Sequence, residues 1–220
     1  MTPVWQDTFV GCGGCQPSTA DWNIMTDVHT NNEIQNYTSS PTNLQLSGGQ
    51  TLQIIPWLSP EGLWTSARIE STRSWIPQPG KVTQFQSTFR TGTYDDLNLK
   101  KGMWPAFWLL GDALRHGTPW PLCGELDIFE QVNGLMTGYG TAHCIQKDGG
   151  PCNEPAGLGK AVDIPNDEFH TWTLKIDRTS NNWWTETIQW FRDGTLYHTL
   201  TGSDFADPGV WSTLAHSPCT

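Results

Sequence analysis

The stretch Cys123-Gly-Glu-Leu-Asp-Ile-Phe-Glu-Gln-Val-Asn133 alternates acidic and large apolar residues near its centre. Successive side chains of a β-strand point to opposite faces, so this pattern predicts a strand with one apolar face in a core and one acidic face in a cleft. Glu125 and Asp127 are two residues apart and therefore share the acidic face. A solvated acidic surface would not normally place Leu, Ile and Phe between its acids.

Glu130 does not fit a regular strand. It lies five residues after Glu125, so unbroken alternation would direct its side chain into the core. An unpaired carboxylate is costly to bury there. We therefore predict a β-bulge around Ile128 and Phe129, in which one extra residue returns Glu130 to the face of Glu125 and Asp127.

Two carboxylates that face one groove, with a third between them, are typical of glycoside hydrolysis. One carboxylate attacks the anomeric carbon while the other protonates the leaving oxygen. The alternative is a strand whose acids protect a sheet edge or bind calcium. This stretch alone leaves both interpretations open.

Composition restricts the class of protein. The chain has 220 residues, of which 15% are charged, with 22 Gly, 15 Pro and a net charge of -10. Its length fits one large β-sandwich or two small domains, and its residue types favour strands and turns over helices. The negative charge argues against nucleic acid and anionic membranes as partners. No apolar run approaches the roughly 18 residues of a membrane-spanning helix.

Short alternating segments separated by turn residues predict many strands. Gly48-Gly49 and Asp193-Gly194 each join two such segments and predict hairpins. No amphipathic helix, repeat or linker stands out, so we predict a single all-β sandwich. Besides the acidic strand, the predicted strands are 33–38, 43–47, 51–55, 63–71, 82–90, 104–110, 138–144, 169–177, 185–192 and 195–200.

Six cysteines suggest disulfides and hence a secreted protein. Cys144 and Cys152 bracket a turn-rich loop and are the pair that we favour. Cys12 and Cys15 have the spacing of a zinc knuckle, but no second knuckle follows, so a disulfide is the better interpretation. The sequon Asn36-Tyr-Thr38 is compatible with secretion.

The segment Gly124-Glu-Leu-Asp-Ile-Phe-Glu130, preceded by Trp104-Pro-Ala-Phe-Trp-Leu-Leu-Gly111, resembles glycoside hydrolase family 16. It is most similar to the fungal endo-β-1,3(4)-glucanase or laminarinase branch. The resemblance implies a concanavalin-like β-jelly-roll sandwich of two curved antiparallel sheets, whose concave face holds the glucan. It also implies that Glu125 is the nucleophile, that Glu130 is the general acid/base and that Asp127 hydrogen-bonds the nucleophile. Retention of configuration follows, with the two carboxyl groups about 5–5.5 Å apart.

The three acids cannot all ionise cheaply on one face, so we expect them to share a proton near neutrality. Glu130 is expected to keep its proton and Glu125 to ionise.

Six further residues are candidates for substrate contacts. Strand alternation places Trp104 and Trp108 on one face, which we assign to the cleft, although a core position is the ordinary alternative for tryptophan. Trp120 lies five residues before Glu125 and could border the subsite beside the cut. His143, on a strand after the catalytic one, is either a substrate ligand or a structural histidine. Arg68 and Gln131 are expected to orient other side chains.

These inferences predict a secreted endo-acting glycosidase that cleaves β-1,3 or mixed β-1,3/1,4 glucans by double displacement. The alternatives are a β-glucan transglycosylase, a non-catalytic glucan-binding protein and a truncated inactive form. We expect a single catalytic domain over residues 1–220 that lacks the family's usual C-terminal strands. We expect a monomer with a polysaccharide as its partner, no nucleic acid, no membrane, no cofactor and no metal in the site. A structural calcium ion elsewhere is left open.

Overall fold

The computed structural model describes residues 3–92 and 96–220, which form two compact units, 1–73 and 74–220. The chain is built mainly of short strands. The strands are β1 (Trp22–Ile24), β2 (Asn36–Tyr37), β3 (Leu44–Leu46), β4 (Leu52–Ile54), β5 (Trp57–Leu58), β6 (Trp64–Ser66), β7 (Ile69–Ser71), β8 (Val82–Phe89), β9 (Ala106–Leu110), β10 (Glu125–Glu130), β11 (Thr137–His143), β12 (Lys160–Asp163), β13 (His170–Asp177), β14 (Thr187–Arg192) and β15 (Thr195–Thr201).

The N-terminal unit contains small sheets. Strands β3 and β4 form the hairpin that Gly48-Gly49 predicts, and β1 pairs antiparallel with β7. Strand β6 pairs antiparallel with β5 and parallel with β2. The buried Asn43 side chain links the hairpin to β6, because its Nδ2 donates to the Ile55 carbonyl at 2.9 Å and to Thr65 Oγ1 at 3.0 Å. The predicted strand 63–71 is in fact two strands, β6 and β7.

Within its described residues, the second unit has two four-stranded antiparallel sheets. One has the order β12-β11-β10-β9 and carries the acidic strand, and the other has the order β15-β14-β13-β8. Apolar side chains from both sheets form one core. These include Leu126, Ile128, Phe129, Trp172, Leu174, Ile176, Ile188 and Trp190. The predicted all-β jelly-roll sandwich is confirmed.

Two glycines let large rings pack directly beneath β11. A Cβ atom at Gly138 would lie 2.7 Å from the ring of Trp172, and one at Gly140 would lie 2.5 Å from the ring of Trp190. The Trp190 indole also donates to the Asp127 carbonyl at 2.7 Å. These rings therefore support the acidic strand from below.

The sequence predicts no amphipathic helix, and this prediction is wrong for residues 208–215. An α-helix, α1 (Pro208–Ala215), begins after Asp207, whose side chain accepts from the Gly209 amide at 2.7 Å. It buries Val210, Trp211, Leu214 and Ala215. Two turns are too short for the apolar period to stand out from the surrounding strands.

Both favoured cysteine pairs are disulfide-bonded, Cys12 to Cys15 and Cys144 to Cys152. Cys123 and Cys219 are buried and unpaired in the described part of the chain. Burial raises the pKa of Cys219 to about 12, which makes its thiol unreactive near neutrality. A search of the described residues finds no helix that is long and apolar enough to span a membrane.

Candidate active site

The acidic strand β10 contains the predicted bulge. Along β9, Asp127 pairs with Trp108 while Phe129 pairs with Phe107, so β10 advances two residues where β9 advances one. The same extra residue appears against β11, between Asp127 and Glu130. Ile128 and Phe129 are both fully buried in the core. The bulge therefore directs two consecutive side chains, Ile128 and Phe129, into the core and returns Glu130 to the acidic face.

Three residues of β11 lie opposite the three acids on this face. Glu125 pairs with His143, Asp127 with Thr141 and Glu130 with Tyr139. Residues that pair directly across an antiparallel sheet have neighbouring side chains. The face consequently places one imidazole beside two carboxyl groups, Glu125 and Asp127. The side-chain ligand atoms of these three residues lie within 4.8 Å of one another.

Asp127 is the most deeply buried acid of the face. Its Oδ2 lies 3.4 Å from His143 Nε2, an ion-pair separation, and this oxygen makes no hydrogen bond to any described residue. Burial raises the pKa of Asp127, and the negative charge of Glu154 adds to the rise, while the nearby His143 imidazole opposes it. The proton-bearing form of this carboxyl is therefore favoured more than for an exposed aspartate.

Glu130 is a carboxylic acid near the middle of its titration at neutral pH. Burial and the neighbouring Asp127 carboxylate raise its pKa to about 7. The Trp104 indole donates to Glu130 Oε1 at 2.7 Å and opposes part of this rise. Glu130 can therefore hold a proton at neutral pH and still release it readily, as a general acid/base requires.

His143 lies between two carboxyl groups. Its Nδ1 is 2.7 Å from Glu154 Oε2, and its Nε2 faces Asp127. Burial lowers the pKa of His143, but the contacts with Asp127 and Glu154 outweigh burial and raise it to about 9. The imidazole is consequently charged at neutral pH. The Trp120 ring flanks it, with the two ring centroids 5.7 Å apart.

Glu154 belongs to this cluster, although the sequence analysis did not identify it. Its side chain is completely buried, and its Oε1 accepts from the Cys144 amide at 2.8 Å. The sequence shows only a glutamate in a polar loop just beyond Cys152. Its contact with His143 depends on how this loop folds back over β11, which no local pattern indicates.

Comparisons with known proteins agree with this geometry. Residues 94–157 match the family model described as XgeA-like, catalytic GH16 domain. The chain is similar to an endo-1,3-beta-glucanase from Streptomyces sioyaensis, whose crystal structure superposes with a TM-score of 0.91. The two sequences are 34% identical, and the match covers 99% of this chain and 82% of the Streptomyces chain. The chain belongs to glycoside hydrolase family 16. The predicted family and the predicted enzyme class, a glycosidase, are confirmed, while the fungal branch stays a prediction.

Two curated relatives of this family 16 chain are glucan endo-1,3-beta-glucosidases. That of Cryptopygus antarcticus is 30% identical, over 89% of this chain and 67% of the relative. The A1 enzyme of Niallia circulans is 26% identical over 93% of this chain. The chain spans only 30% of the length of the Niallia protein, so most of that protein lies outside the matched region.

Trp108 of the family 16 chain lies as strand alternation predicts, whereas Trp104 lies two residues before the first residue of β9. Trp104 contacts Glu130 and is half exposed, and Trp108 pairs with Asp127 on the acidic face. Phe107 and Leu109, on the opposite face of β9, pack into the core. Trp120 lies beside His143, next to the acids. Their contacts with sugar stay predictions.

The two weaker candidates, Gln131 and Arg68, have other contacts. Gln131 is buried, and its Nε2 donates to the Leu135 carbonyl at 2.7 Å, so it orders the loop after β10. Arg68 belongs to the N-terminal unit, where its charge lies close enough to Tyr37 to act on the pKa of that phenol. The expectation that Arg68 and Gln131 orient other side chains stays a prediction.

The residues of the acidic face do not fit a metal ion well. Calcium takes oxygen ligands, and an imidazole must be neutral to coordinate a transition metal. His143 already directs Nε2 at Asp127 and Nδ1 at Glu154, so a metal ion on this face would have to displace the contact with Asp127. The absence of a metal from this site and a calcium ion elsewhere both stay predictions.

Proposed function

We propose that this family 16 domain hydrolyses internal β-1,3 linkages of β-glucans with retention of configuration. The proposal rests on the bulge, because the bulge returns Glu130 to the face of Glu125 and Asp127. In that position the pKa of Glu130 is raised to about 7. Retaining glycosidases need an ionised nucleophile and a protonated acid at the same pH. Glu130 suits the role of the acid, and we assign the nucleophile to Glu125.

In the proposed mechanism, Glu125 attacks the anomeric carbon while Glu130 gives its proton to the leaving glycosidic oxygen. A glycosyl ester on Glu125 results, and the cut end of the glucan leaves as an alcohol. Glu130, now ionised, takes a proton from water as that water attacks the ester, which regenerates both side chains. Asp127, between them, would hydrogen-bond Glu125 and set its charge.

The substrate class rests on the relatives, which are named as endo-1,3-beta-glucanases and glucan endo-1,3-beta-glucosidases. Trp104 supports a sugar platform beside the acid, because an exposed aromatic ring matches the flat C–H face of a pyranose. Cleavage of mixed β-1,3/1,4 glucans belongs to the same proposal.

A reducing-sugar assay on laminarin, lichenan, xyloglucan, agarose and carrageenan tests this proposal. We expect release from laminarin and weaker release from lichenan, with the β-anomer as the first product in proton NMR. Release from xyloglucan or a galactan alone would overturn the substrate class, and an α-anomer would overturn the mechanism. Products longer than the substrate would identify the transglycosylase alternative.

We further propose that the protein is secreted and acts as a monomer. Its two disulfides favour an oxidising compartment. A single catalytic domain over residues 1–220 also stays a proposal. A single cooperative unfolding transition in calorimetry would support it, and sedimentation at the mass of one chain would support the monomer.

A further inference from the structure

Glu154 is a buried carboxylate whose two oxygens both have partners. Oε2 lies 2.7 Å from His143 Nδ1, and Oε1 accepts from the Cys144 amide at 2.8 Å. Its side chain has no exposed surface, so a substrate on the acidic face would not touch it. Glu154 therefore acts on the site through its contact with His143 and through its charge, which also raises the pKa of Asp127.

The loop that carries Glu154 is closed at two points. The disulfide between Cys144 and Cys152 joins it to the end of β11. The backbones of Gly149 and Glu154 also exchange two hydrogen bonds of 2.7 Å. The disulfide and the backbone hydrogen bonds both lie within a few residues of Glu154. They therefore fix the backbone position from which the Glu154 carboxylate reaches His143.

The contact with Glu154 decides which edge of the imidazole faces the acids. With Nδ1 against Glu154, Nε2 lies 3.4 Å from Asp127 Oδ2. Two other acids face the ring from β10, namely Glu125, which pairs with His143, and Glu130, whose charge interacts with it. One cation therefore stands among four carboxyl groups.

We propose that Glu154 is a positioning residue of the glycosidase site, which orients His143 toward Asp127 and holds it as the cation that balances the acids of β10. This inference rests on the proposed function. Without the Glu154 carboxylate the imidazole loses one of its two anionic partners. The charge beside Asp127 would then be lost at a lower pH, within the range where Glu130 must act.

The substitution Glu154→Gln tests this role, because glutamine keeps the size of the side chain and removes its charge. We expect the pKa of His143, followed by NMR of the imidazole, to fall by at least about one unit from about 9. Activity then requires protons on both Glu130 and His143 as the pH rises. The upper limb of the kcat/KM profile should move to lower pH and steepen from a one-proton to a two-proton dependence.

Near pH 8 we expect kcat to fall about twofold, since a pKa lowered from about 9 to about 8 reduces the charged form to about one half. Well above pH 9 the fall should approach tenfold, with KM changed less than about twofold throughout. The matched control is Asp148→Asn, which removes an exposed carboxylate from the same loop. It should leave the titration and the pH profile unchanged.

The variant Glu154→Asp separates charge from packing. Aspartate keeps the charge, so we expect a His143 pKa close to that of the parent and a one-proton upper limb, even if the shorter side chain lowers stability. Equal titration curves for His143 in the parent and Glu154→Gln, with an unchanged pH profile, would overturn the proposal. The NMR titration needs no turnover, so it decides this inference even if the parent fails to hydrolyse glucans.

Discussion

Two buried clusters of acid and histidine in the second unit have opposite effects on their carboxyl groups. The cleft cluster consists of Asp127, Glu130, His143 and Glu154. The helix cluster consists of Glu186, Arg178, Trp211 and His216 and ties helix α1 to its surroundings. In the first, the pKa values of Asp127 and Glu130 are raised, whereas in the second the pKa of Glu186 is lowered.

The supply of donors explains this difference. Burial alone would raise the pKa of Glu186, but its carboxylate accepts from His216 Nε2, from Trp211 Nε1 at 2.8 Å and from Arg178 Nε at 3.2 Å, and these donors outweigh burial. In the cleft cluster, acids face other acids, and the His143 imidazole, 3.4 Å from Asp127 Oδ2, opposes the effect of burial without outweighing it. We expect the helix cluster to stabilise the fold. The raised pKa values of Asp127 and Glu130 in the cleft cluster suit proton transfer in the proposed reaction.

The largest effect is expected at the proposed nucleophile. Glu125→Ala should lower hydrolysis of laminarin by roughly 10⁴-fold or more, because removal of a nucleophile eliminates the covalent route. The melting temperature should stay close to that of the parent, as the residue is only partly buried. Reducing-sugar release and thermal melts measure the two quantities. Substantial retained turnover would refute the role of Glu125.

The helix cluster should show the reverse behaviour. Glu186→Gln removes the charge that Arg178 and His216 share, and breaking such a buried pair costs about 3–5 kcal/mol of unfolding free energy. Urea unfolding measures this loss, and kcat of the folded fraction should be unchanged. Glu168→Gln, at an exposed glutamate, is the control. A variant as stable as the parent would show that this cluster does not support the fold.

The raised pKa of Glu130 predicts a stability cost at alkaline pH. A carboxyl group whose pKa is about 7 in the folded chain and about 4.5 when unfolded binds its proton better in the folded state. Stability is therefore lost as the pH rises from about 4.5 to about 7. Glu130→Gln should raise the unfolding free energy at pH 8 by about 3 kcal/mol and change it little at pH 4. Equal effects at both pH values would contradict this linkage.

The smallest effect concerns the donor to Glu130. Trp104→Phe keeps an aromatic ring and removes the N–H that favours the ionised carboxylate. The upper limb of the pH–rate profile should therefore move to higher pH, by less than about one unit. Trp184→Phe, at an exposed tryptophan outside the cluster, should leave the profile unchanged. A shift of the limb to lower pH would contradict the role of this hydrogen bond.

The sequence revealed the acidic face because a local rule was violated there. A separation of five positions cannot put Glu125 and Glu130 on one face of a regular strand, and the cost of a buried carboxylate made the bulge the simplest solution. Alternation likewise placed Trp108 correctly, whereas Trp104 contacts Glu130 from outside β9. Glu154 could not be found in this way, because its contact with His143 depends on a loop folding over a strand.

Helix α1 was missed for a related reason. Its eight residues bury four side chains against the rest of the unit, and Glu186 supplies the acceptor for Trp211 from a segment 25 residues earlier. Tertiary contacts of this kind stabilise a short helix whose own sequence carries little helical periodicity.

The protonation of Glu130 tests the account most directly. Carbon-detected NMR of the protein with labelled glutamate, with Glu130→Gln and Glu186→Gln for assignment, follows both carboxyl groups through a pH titration. We predict that Glu130 titrates near 7 and that Glu186 titrates below the ordinary glutamate value of 4.5. A Glu130 carboxyl that titrates at or below 4.5 would be ionised at neutral pH, and the assignment of Glu130 as the general acid would be wrong.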